Sequence, residues 1–136
     1  MANKDDRFRK HDVHWGDMYI WYGPGESAEE IEHVTTAEQL SPRLWEVTEW
    51  TFVGGYEMYE PGKREWIAQK TIIEGEKDPR RAAWLGVEQI QQRGGDEWEG
   101  TAEDLIELSI LPPDGKTWKQ WQREMRSQEK ALLVRR

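Results

Sequence analysis

The sequence predicts an α+β domain: a small, mainly antiparallel sheet of three or four strands, a helix over about residues 79–93 packed on one face, and an amphipathic C-terminal helix. Three observations predict it. Residues from Arg43 to Glu74 alternate in polarity on either side of Pro61-Gly62, the pattern of a β-hairpin. Asp78-Pro79 and Gly94-Gly95 bracket a segment in which Ala83, Val87 and Ile90 recur at helical spacing. Finally, Leu, Ile, Val and Phe supply only 24 of 136 residues, which with a net charge of −8 is the composition of a disordered chain; nine Trp, four Tyr and four Met counter it with a core of few, large, flat side chains.

Residues 1–12, MANKDDRFRKHD, are polar and mixed in charge, and are expected to form an arm. From Val13 the sequence alternates Val13, Trp15, Tyr19 and Trp21 against His14, Met18, Ile20 and Tyr22, the pattern of a first strand that ends at Pro24-Gly25. Ser27 with Glu30, and Thr36 with Gln39, have the spacing of capping boxes, so one or two short helices are expected before Ser41-Pro42.

The hairpin follows. Leu44, Trp50 and Phe52 fall on one side of its first strand and Trp45, Val47 and Val53 on the other, as in an inner strand buried on both faces. The return strand, from Arg64 to about Glu74, sets Trp66 and Ala68 against Ile67 and Ile73. Beyond the 79–93 helix, GGDEWEG reads as a polar loop carrying Trp98, and Thr101 with Asp104 opens a further capping pattern before Leu105. Thr117 to about Leu133 reads as a helix with Trp118, Trp121, Met125 and Leu132 on one stripe and cations elsewhere.

Charge divides the chain into three parts: an arm over 1–12, a single acidic domain over 13–115 and a basic helix over 116–136, with balances of +1, −14 and +5. An acidic body repels phosphate, which argues against nucleic-acid binding by the main domain. The absence of cysteine excludes a disulfide framework and any Cys-based zinc or redox site, and fits a reducing cytoplasm. No run approaches the ~20 apolar residues of a membrane span, and the N-terminal residues lack the apolar core of a signal peptide, so a soluble cytoplasmic protein without membrane association is expected.

No catalytic, metal or cofactor signature stands on this framework. His11, Asp12, His14 and Asp17 are residue types that bind zinc, yet on an extended chain His11 and His14 point to opposite faces, so they read as strand-edge histidines and only weakly as the metal site of an enzyme. His33 beside Glu32 has no nucleophile motif near it, and Glu57, Glu60 and Glu65 flank a turn where carboxylates are solvated. Neither GxGxxG nor GxxxxGK[ST] occurs. The expectation is therefore no catalytic residue, no metal and no cofactor.

The segments that point to a function are the aromatic and basic ones. Trp118 and Trp121, with Lys119, Arg123 and Arg126, are residue types that dock on an acidic partner or on nucleic acid, unless the two tryptophans pack on the protein's own body. Trp98, between Glu97 and Glu99, is the other candidate for an interface. Short, acidic, Trp-rich and cysteine-free, the chain has the style of small bacteriophage or mobile-element proteins. It reads as a non-enzymatic interaction protein: a virion-type assembly subunit, or an acidic inhibitor of a basic, nucleic-acid-handling partner, acting in the host cytoplasm or virion. A nucleic-acid module working through the C-terminal helix is the alternative.

Overall fold

The hairpin lies at the heart of a larger sheet. In the computed structural model, which describes residues 13–23, 27, 30–54, 65–113 and 115–134, six strands follow one another in sequence order. They are β1 (Val13–Trp15), β2 (Met18–Tyr22), β3 (His33–Ser41), β4 (Leu44–Gly54), β5 (Glu65–Glu74) and β6 (Asp96–Thr101). Each pairs antiparallel with its sequence neighbours. Among the described residues three helices complete the α+β fold: α1 (Pro79–Arg93), α2 (Ala102–Glu107) and α3 (Trp118–Val134).

Register explains why the sheet is buried on both sides. Trp50 of β4 lies opposite Val34 of β3 and Ala68 of β5, while Val47 lies opposite Ala37 and Thr71. Because side chains alternate along a strand, these two rows face opposite ways. The Trp50 row joins Ile20, Tyr22 and Trp66 to Leu105 of α2 and to Ile110 and Leu111 beyond it. The Val47 row joins Trp21, Trp45 and Ile73 to Ala82, Ala83 and Val87 of α1. Two of the buried indoles are hydrogen-bonded to their own chain: Trp50 Nε1 donates to Thr36 Oγ1 at 3.1 Å and Trp45 Nε1 to the Glu76 carbonyl, in the loop after β5, at 2.7 Å.

Helix α1 begins and ends where its caps place it. The Asp78 carboxylate accepts from the Arg81 amide, Pro79 occupies the first turn, and the Gly94 amide donates to the Ile90 carbonyl with φ +75°. Its seat on β4 is set by Gly86, where an added Cβ would come within 2.4 Å of the Val47 side chain. Short helix α2 opens on a complete capping box, in which the Thr101 hydroxyl accepts from the Asp104 amide and the Asp104 carboxylate from the Thr101 amide.

Three features depart from the sequence reading, and together they raise the strand count from three or four to six. The first strand is a hairpin, because Gly16, at φ +53°, turns the chain between Trp15 and Met18. Residues expected to form short helices after Ser27 instead include β3, whose Val34, Thr35, Thr36 and Ala37 are all buried between β2 and β4. A β-branched run buried on both faces outweighs the local capping pattern. The polar loop at 96–101 is strand β6, paired with β5 through Lys70↔Asp96 to Glu65↔Thr101. The Pro61-Gly62 turn, with Glu57 and Glu60, lies outside the described residues, as does the 1–12 arm.

Substitution of Gly86 tests the α1 seat. At an exposed helical position Gly→Ala stabilises by about 1 kcal/mol; here it should destabilise by about 1–3 kcal/mol in urea unfolding, as overpacking does. The increment from Gly86→Ala should be smaller when measured in a Val47→Ala background, and a stabilised single variant would show that the helix can shift without cost.

Candidate partner-binding surface

Helix α3 is capped and anchored at its first turn. The Thr117 hydroxyl accepts from the Gln120 amide at 3.2 Å, and the Gln120 side chain accepts from the Thr117 amide at 3.1 Å. Thr117 also bridges to Ser27. The Trp118 ring stacks on Tyr22 with centroids 5.6 Å apart, and Trp121 is buried. Tyr22 is itself fixed by its hydroxyl, which donates to the Ile110 carbonyl at 2.7 Å. The start of the helix is thus part of the domain core.

Beyond that anchor the helix turns a charged side outward. Lys119, Arg123 and Arg126 are exposed, and their i, i+4, i+7 spacing aligns them along one face over about 10 Å. The Lys119 ammonium lies 5.4 Å from the Trp118 ring centroid, a cation–π contact at the foot of that stripe. Lys116, two residues ahead of the helix, pairs with Glu124 on its exposed surface.

The other candidate, Trp98, is half-buried on β6. Its ring meets Trp50 edge to face at 5.2 Å and 74° and covers Gly100, where a Cβ would stand 1.9 Å from Trp98 Cη2. Of the six residues singled out by the sequence, Trp98, Trp118 and Trp121 therefore contribute packing to their own chain, while Lys119, Arg123 and Arg126 are presented to solvent.

Strand pairing assembles a feature that the sequence did not reveal. Glu49 of β4, Gln69 of β5 and Glu97 of β6 form one cross-sheet row, followed by Thr51, Ile67 and Glu99 in the next, with Glu65 adjoining. These side chains share the sheet face of α1 but lie towards the opposite end of β5 from Thr71, to whose hydroxyl Gln89 of α1 donates. Glu65, Glu97 and Glu99 are exposed, whereas the Glu49 side chain is largely buried, only 11% exposed. Had 96–101 been read as a strand, the Glu97-x-Glu99 alternation would have placed both carboxylates on one face.

His33 Nε2 approaches Glu49 Oε1 at 2.9 Å at the margin of this half-face. Asp17 sits in the β1–β2 turn and accepts the Gln39 amide through its carbonyl. His14 pairs across the sheet with Tyr19, while His11 and Asp12 lie outside the described residues. Among the described residues no three His, Asp or Glu side chains gather as a metal ion requires, and no helix is long and apolar enough to cross a membrane. No family model matches the chain, and neither a curated protein nor a solved structure matches it.

The anchor should show in stability. Trp121→Ala should cost about 3–5 kcal/mol in urea unfolding, the range for deletion of a buried tryptophan, whereas Arg123→Ala should stay within about 0.5 kcal/mol of the parent. Near-parental stability of Trp121→Ala would show that α3 is detachable from the core.

Proposed function

We propose that this protein is a non-enzymatic interaction protein, a phage- or mobile-element-type assembly subunit whose copies associate through oppositely charged surfaces. The observation that carries this reading is the segregation of charge on the folded surface. Exposed carboxylates gather at one end of the sheet, and exposed cations line one face of a helix whose first turn is anchored in the core. Such an arrangement orients two copies and speeds their encounter. Trp98, Trp118 and Trp121 are engaged within the chain, so electrostatics is the larger contribution to partner choice.

A second reading rests on the acidic half-face alone: a cover for the basic surface of a nucleic-acid-handling protein. The two readings separate in solution. Sedimentation of the full chain should reveal oligomers that dissociate as the screening length falls from about 30 Å at 0.01 M salt to about 3 Å at 1 M. A monomer at every concentration and salt would end the assembly reading and leave the inhibitor one. Charge-reversed full-length variants are the right comparison, because removing α3 entirely would also remove Trp118 and Trp121 from the core.

A further inference from the structure

We propose that the basic face of α3 in one copy docks on the acidic half of the sheet in a second copy, at Glu65, Glu97 and Glu99 with Glu49 at the margin. This rests on the assembly reading and assigns it an interface. Charge complementarity selects the occupant. Among the described residues of β3 to β6, no Lys or Arg shares this half-face with the four carboxylates, since Lys70 points to the other side of the sheet. On α3 the three cations stand on one face with their side chains exposed.

The dimensions agree as well. Glu97 and Glu99 stand about 7 Å apart along β6, and Glu65 lies one strand spacing, about 5 Å, across on β5. From Lys119 to Arg126 is about 10 Å along a helix. A helix laid over β5 and β6 thus brings its cations within reach of these carboxylates, with half-buried Ile67 between the charges as a partly apolar floor. The chain's own α3 does not occupy this position. Its first turn is anchored on the opposite face of the sheet, against Tyr22, and Glu65, Glu97 and Glu99 remain exposed.

A charge exchange tests the interface. Glu97→Lys with Glu99→Lys reverses the sheet, and Arg123→Glu with Arg126→Glu reverses the helix; all four sites are exposed, so circular dichroism should report both proteins folded. Each double variant alone should self-associate at least about tenfold more weakly than the parent in sedimentation equilibrium. An equimolar mixture should recover association, because the reversed helix then meets the reversed sheet and the two unaltered surfaces meet each other. If the parent is oligomeric and both variants match it, this interface is wrong while the assembly reading stands. A parent that stays monomeric overturns both.

Discussion

Burial of β4 on both faces is the constraint from which the rest of the structure follows. With Trp45 and Val47 on one side and Trp50 on the other, the strand cannot lie at an edge, and over these residues neither of its sides faces water. It therefore needs a strand on each flank and a layer above and below. Helix α1 supplies one layer, and α2 with the residues after it supplies the other. A chain with so few aliphatic residues can meet this demand because each indole covers an area that would otherwise take two or three smaller side chains.

The same economy explains the engagement of Trp98, Trp118 and Trp121. The second layer is built from a short helix and the irregular chain after it, and the flat rings of Trp98 and Trp118 pack against its core. Trp98 lies down over Gly100 because that position has no Cβ, and Trp118 finds Tyr22 held in place by its bond to the Ile110 carbonyl. Aromatic side chains that look like spare binding surface in a sequence are here the filling of the second layer.

Where local pattern and tertiary demand agreed, the fold was legible from the residues. Asp78-Pro79 and Gly94 bound α1 as read, the Leu44–Gly54 and Glu65–Glu74 strands form the hairpin core, and the Thr101–Asp104 box opens α2. Misreadings arose where a short-range signal competed with long-range pairing. The spacing of Thr36 and Gln39 imitates a cap, yet Thr36 is buried and holds the Trp50 indole; in Asp96–Thr101 the charged residues hid a strand whose only apolar side chain is Trp98. The candidate site was half legible. The cationic stripe of α3 follows from helical spacing, but the carboxylates opposite it come from three separate strands and meet only through register.

The two-tryptophan anchor has a geometric consequence for any higher-order structure. A helix held at its first turn against Tyr22 leaves every copy at the same angle to the sheet. A helix of one copy seated on the sheet of the next is a head-to-tail contact, using different patches on the two partners, and repetition of one fixed rotation either returns to its starting point or winds on indefinitely. If copies associate in this way, ring or filament is decided by the angle at which that first turn holds the helix, and a change in the packing of Trp118 would alter the symmetry of such an assembly without touching the contact itself.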